Sequence, residues 1–260
     1  LKIPTLHIKG SGQPFIWLHG LLNSVEADSL YSLIDFDKLS ELVSVVQYDY
    51  RDKAPDGDYT WPALCDELAG VADSLNQKQL ILGGFSMGAG TILHFATCYP
   101  ERVKALILVT PPPAWEMRTA TKAVYRKIVD KTNNHSVPEI LKRLIQLSQD
   151  PPDFFEEKHP GTKQKLQQIR LNFEPPYYSR VYSDGADSDF PSREQIAKIN
   201  VPTLVITIPD DVNHPAEMAQ ILHDLIKGSE LVVVSRYNDI EILQKRIHDF
   251  ILESTNNYKS

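Results

Sequence analysis

A chain of 260 residues, 42% of them hydrophobic, has room for one large α/β domain carrying an insertion, or for two small domains. Its formal charge of −7 at pH 7 argues against nucleic acid or an anionic membrane as the main partner. The two cysteines, Cys65 and Cys98, lack metal-ligand spacing and read as buried, reduced thiols of a cytoplasmic protein. No apolar run approaches the length of a membrane span, and the first residues lack a charged-then-apolar signal pattern. The chain starts at Leu1 without an initiator methionine, which leaves a removed leader open.

In chain order, residues 3–8 and 14–18 read as opening strands separated by the turn Gly10-Ser11-Gly12. A helical stretch over 27–40 precedes a strand at 43–49. Residues 61–76 place Pro62 in a first turn and Leu64, Leu68, Val71 and Leu75 at helical spacing. The apolar runs 79–83 and 103–109 are buried strands, the second stopped by Pro111-Pro112-Pro113. Residues 111–191 break the alternation. Rich in proline and aromatics, they predict helices at 118–131, 138–149 and 162–172, with Ile140, Leu141, Leu144 and Ile145 on one apolar stripe and Leu166, Ile169 and Phe173 on another. Ser183 to Asp189 reads as a polar, mobile loop. A strand at 201–208, a helix at 215–227, a strand at 230–234 and a helix at 239–253 complete the chain. Short apolar strands alternating with amphipathic helices predict a mostly parallel sheet flanked by helices. The helical stretch is inserted between two strands, as a lid would be.

Gly84-Phe85-Ser86-Met87-Gly88 stands between the strand at 79–83 and an apolar helical run from Ala89. A strand that turns at once into a helix holds Ser86 on a strained bend, with glycines where a Cβ would collide. The bend also sets the serine at a helix N-terminus, where unpaired N–H groups favour developing negative charge.

Together with His19-Gly20 after the second strand, and Asp211 with His214-Pro215 after a late one, this elbow makes the chain resemble the α/β-hydrolase family over nearly its whole length. The resemblance implies an α/β-hydrolase core over 1–110 and 192–260 with a helical cap at 111–191. It makes Ser86 the nucleophile and the backbone N–H groups of Leu21 and Met87 the oxyanion donors. Asp211 becomes the acid, with Asp210 as the alternative and helix capping as the plainer role. His19 reads as structural. The family's cap is expected to shape the ligand site, and Trp115, Tyr125, Phe154, Phe155, Phe173, Tyr177, Tyr178 and Tyr182 supply apolar faces for it or for the cap's own core.

The chain departs from the family pattern where the catalytic histidine is expected, after the last strand. Ser235-Arg236-Tyr237-Asn238-Asp239 contains none, so Asn238 marks a vacant histidine slot, and His248 lies too far along the last helix to serve. Serine is a poor nucleophile without a base, and an amide cannot replace one. His214 is the best-placed substitute base in sequence, although a histidine at such a loop–helix junction reads first as a surface residue. A second departure, Lys53-Ala54-Pro55-Asp56-Gly57 in place of a glycine-rich turn, reads as a reshaped surface loop. The expected activity is hydrolysis of a small, mostly apolar ester or related acyl compound. The alternative is a ligand-binding or regulatory protein that keeps the fold without turnover. No metal, nucleotide or flavin motif appears, and neither reading needs a cofactor.

Overall fold

A computed structural model describes residues 2–134, 139, 142, 143 and 151–256. Its strands are β1 (His7–Lys9), β2 (Pro14–Leu18), β3 (Ser44–Gln47), β4 (Leu80–Phe85), β5 (Val103–Val109), β6 (Thr203–Thr207) and β7 (Glu230–Val233). They form one seven-stranded sheet in the order β1-β3-β2-β4-β5-β6-β7. Only β1 runs antiparallel, pairing with β3 through Ile8 opposite Val46. The chain thus has the α/β-hydrolase fold anticipated above, with a mostly parallel sheet flanked by helices.

The central strands β2, β4, β5 and β6 are almost continuous apolar runs, as burial on both faces requires. Alternation sends Ile16, Leu18 and Leu82 to one face and Phe15, Trp17 and Ile81 to the other. The first face is covered by α3 (Trp61–Ser74), α4 (Met87–Cys98) and α10 (Ala216–Leu225), the second by α11 (Tyr237–Asn256). Both edges are short, and β1 is fully exposed, so neither offers a long template for adding a further strand.

The opening strand is shorter than 3–8, because Pro4 has no N–H to give and the Thr5 N–H goes to the Asp52 carboxylate at 2.9 Å. The helical stretch over 27–40 is two helices, α1 (Val25–Leu30) and α2 (Phe36–Leu39), each started by its own cap: Ser24 Oγ accepts from Ala27 N and Asp35 Oδ1 from Lys38 N, both at 3.0 Å. Cys65 is buried as expected, but Cys98 is exposed at the end of α4. The loop after Tyr50 turns without glycine, holding Arg51, Asp52 and Lys53 at φ of 52°, 49° and 57°.

Between β5 and β6 the chain forms α5 (Arg118–Asn134), α6 (Asp153–Glu156), α7 (Thr162–Leu171), α8 (Pro175–Asp187) and α9 (Arg193–Ile196). The expected helix at 138–149, with the stripe of Ile140, Leu141, Leu144 and Ile145, lies outside the described residues. The expected mobile loop from Ser183 is instead the last turn of α8. Its polar residues are engaged: Asp184 accepts from Tyr59 N at 2.7 Å and Arg180 Nε at 2.8 Å, and Ser188 Oγ accepts from Trp61 N at 3.2 Å. Those bonds tie the inserted helices to the start of α3. Among the described residues, no helix is long and apolar enough to cross a membrane.

Candidate active site

The strand-to-helix turn between β4 and α4 holds Ser86 at φ 52° and ψ −108°, a left-handed conformation a serine adopts only under constraint. The constraint is visible on both sides. Ser86 N–H donates to Val109 O of β5 at 3.0 Å, and α4 begins at the next residue. A Cβ on Gly84 would collide with the backbone of Gly88, and one on Gly88 with the Leu18 carbonyl, so the turn closes only with glycine at both positions. Ser86 is 8% exposed.

The partner comes from the segment after β6. Asp210 sits at φ 62° and is exposed. Asp211 then folds the chain back: its Oδ1 accepts from Asn213 N at 2.9 Å and His214 N at 3.2 Å, an Asx-type turn that ends at Pro215 and α10. The turn brings the His214 ring over its own loop, with Nδ1 2.7 Å from Asp211 Oδ2 and Nε2 2.8 Å from Ser86 Oγ. Burial pushes the Asp211 carboxyl up, but the His214 contact and the two N–H groups outweigh it, leaving the carboxyl below the usual carboxylate range. An ionised carboxylate only accepts, so His214 Nδ1–H is the donor to it. In the neutral ring Nε2 is left as acceptor for the Ser86 hydroxyl. His214 is 9% exposed and packed against the Phe85 ring at 5.6 Å between centroids; the surface reading of this residue is therefore corrected.

Two backbone donors lie beside the serine. Met87 N–H is the first of the α4 N-terminus, and neither it nor Leu21 N–H finds an acceptor among the described residues. Gly20 allows the Leu21 turn to lie close, because a Cβ there would meet the Phe85 ring at 2.6 Å. His19 is buried beside this turn with Nδ1 2.8 Å from Gly20 O, and burial holds the ring below the usual histidine range. Leu21, Ser86 and Met87 line a common cleft with Trp61, Arg118 and Tyr125.

The structure joins Ser86, His214 and Asp211 and sets Leu21 and Met87 beside them. It does not bring Asn238 to this group: that residue is exposed in the first turn of α11. Asp239 Oδ2 holds the preceding loop through Ser235 N at 2.9 Å and Arg236 N at 3.2 Å. Of the aromatics set out above, Tyr125 lines the cleft, while Tyr177, Tyr178 and Tyr182 are buried in the core cluster. Sequence reasoning missed Trp61, whose Nε1–H donates to Met87 O at 2.8 Å, and Arg118, which lines the cleft. A tryptophan at a helix start before Pro62 was the available signal for the first; the second had none.

Residues 13–241 match the family model for the alpha/beta hydrolase fold. The chain belongs to this family. Among α/β hydrolases it is 29% identical over 232 residues to the AB hydrolase superfamily protein YisY of Bacillus subtilis, covering 86% of this chain and 83% of that one. It is 26% identical over 218 residues to the putative carbamate hydrolase RutD of Cronobacter turicensis, covering 79% and 77%. The fold matches that of the enol-lactonase from Burkholderia xenovorans LB400 with a TM-score of 0.80 at 19% identity, over 95% of this chain and 96% of that one. A thermophilic esterase from Thermogutta terrifontis matches at 0.78 and 21% identity, over 96% and 93%.

Proposed function

We propose that this α/β hydrolase is a serine hydrolase of small, mostly apolar esters or related acyl compounds, with its base and its acid on one loop. The observation that carries the reading is the unbroken hydrogen-bonded run from Ser86 Oγ through His214 to Asp211, at 2.8 and 2.7 Å. His214 Nε2 takes the hydroxyl proton as Ser86 Oγ attacks the carbonyl carbon, and Asp211 stabilises the imidazolium that forms. The carbonyl oxygen gathers negative charge against the Leu21 and Met87 N–H groups at the α4 N-terminus. The imidazolium then protonates the leaving group, and water, activated by the same ring, releases the acid. Hydrolase names among the relatives support the reaction class. The helices between β5 and β6 act as the cap over 111–191, and a cytoplasmic setting completes the reading.

The bond from His214 to Ser86 weighs against the alternative, a ligand-binding protein without turnover, which rested on the missing histidine after β7. Intact-mass spectrometry after exposure to a fluorophosphonate probe separates the two. The expected result is a single adduct, absent in Ser86→Ala and slowed by roughly 10²-fold or more in His214→Ala, the usual worth of a general base. No adduct on the folded wild-type protein, while a known serine hydrolase labels fully, overturns the proposal.

A further inference from the structure

Among the described residues, the cleft that holds Ser86 is lined by one formally charged side chain, and it is a cation. Arg118, the first residue of α5, is 3% exposed and lines the same cleft as Ser86, Leu21 and Met87. Among the described residues, no aspartate or glutamate lines it. A buried guanidinium ordinarily faces a carboxylate, because desolvating the charge without a partner is unfavourable. Here it does not, among the described residues. Nε donates to Ser188 O at 2.7 Å, Nη1 to Pro113 O at 3.1 Å and Nη2 to Gly185 O at 2.7 Å, and its plane lies over the Trp61 ring at 4.4 Å. Asp189, the acid whose field reaches Arg118, spends its oxygens elsewhere. It accepts from Trp115 N and Phe190 N, both at 2.9 Å, and from Lys122 Nζ at 3.1 Å.

The three carbonyls account for three of the five guanidinium N–H groups. One remains on each terminal nitrogen, the number a bidentate carboxylate takes. Tyr125, close enough for its phenol and Arg118 to feel each other's charge, lines the same cleft and makes no side-chain hydrogen bond among the described residues. A purely structural arginine, tying the carbonyl end of α8 to the Pro113 carbonyl, explains the three bonds made. It does not explain why a cation and a phenol line the same cleft as Ser86, where the α4 N-terminus adds positive potential. The chain's formal charge of −7 gives no long-range attraction for anions, so the positive cleft is local.

We propose that Arg118, with Tyr125, forms a carboxylate subsite, and that the substrates are short acyl compounds bearing a carboxylate within a few atoms of the scissile carbonyl, such as half-esters of dicarboxylic acids. This rests on the hydrolase reading above and narrows its substrate class. Two measurements test it. The first compares kcat/KM for mono-4-nitrophenyl succinate with that for its neutral counterpart, 4-nitrophenyl methyl succinate, in wild type, Arg118→Gln and Arg118→Lys. The expected preference for the half-ester in wild type is about tenfold or more, the scale of a charge-assisted hydrogen bond. It collapses in Arg118→Gln and is partly kept in Arg118→Lys. Equal losses on both esters, or no preference in wild type, overturn the subsite. The second needs no turnover: calorimetric titration of Ser86→Ala with succinate and with succinamide, where only succinate is expected to bind and only with Arg118 present. Hydrolysis of the neutral ester without succinate binding removes the subsite and leaves the hydrolase reading. Arg118-dependent succinate binding without any hydrolysis does the reverse. Should both Arg118 variants fail to fold, the wild-type ester preference and the contrast between succinate and succinamide decide alone.

Discussion

Asp211 divides its two oxygens between its own loop, through Asn213 N and His214 N, and the His214 ring. Asp211→Asn keeps the shape of that turn but removes the charge that fixes the ring tautomer. Turnover of an activated ester is expected to fall by roughly 10³–10⁴-fold with little change in far-UV circular dichroism, by analogy with triads whose acid has been neutralised. Asn238→His, by contrast, is expected to give no gain over wild type in the same assay, because His214 already spans Ser86 and Asp211. A second titrating residue lies outside the site. Burial pushes the Glu67 carboxyl up to about 7, against the opposing pull of Arg51. A raised carboxyl favours folding while protonated, so its contribution is complete below the ordinary glutamate range and is lost as pH rises through about 7. Glu67→Gln should therefore raise the melting temperature relative to wild type at pH 8 and not at pH 5, a differential of at most about 3 kcal/mol; a pH-independent difference counts against it. At this scale Ser86 was legible because its glycines and flanking runs admit one local geometry. The burial of His214 was not. It follows from a four-residue turn closed by a side chain, and hydropathy does not report which way such a turn faces.

Elements whose pattern extends over several turns or a whole strand follow the sequence closely: α3 and β2, β4, β5 and β6 fall where periodicity or continuous apolar runs put them. Shorter ones do not. Ser24 and Asp35 cut one helical stretch into two through local caps, and the polar end of α8 is helical because Tyr59 N and Trp61 N reach it from distant sequence. Side-chain caps and long-range backbone bonds leave little trace in hydropathy. Two substitutions test the element boundaries. Asn76 follows α3 at φ 51°, the left-handed position helices commonly end on, so Asn76→Gly is expected to stabilise by up to about 1 kcal/mol in chemical denaturation. Gly88→Ala is expected to destabilise by about 1–3 kcal/mol or more, because the added methyl overpacks against the Leu18 carbonyl on a strand that cannot yield.

Across the molecule, Asp184 is one of the described polar residues that join the helices inserted between β5 and β6 to the rest of the chain. It is buried, and it joins α8 to the Tyr59 backbone at the entrance to α3. Asp184→Ala leaves Tyr59 N without its acceptor and is expected to cost about 1–3 kcal/mol. Limited proteolysis should then cut first within the inserted helices, while the sheet fragments persist; uniform digestion would place the bond's effect on the whole fold instead. The loop after β6 has a further consequence at this scale. Where acid and base ride on separate strand ends, three bodies must be aligned. Here Asp211 and His214 are three residues apart and locked by their own turn, so they travel as one rigid piece. Their spacing is set within the Asp211 turn, whereas the gap to Ser86 is set between two separate loops. Between Ser86 and His214 there is one joint, where the β4 elbow meets the β6 loop, and the 2.8 Å contact from Nε2 to Oγ spans it.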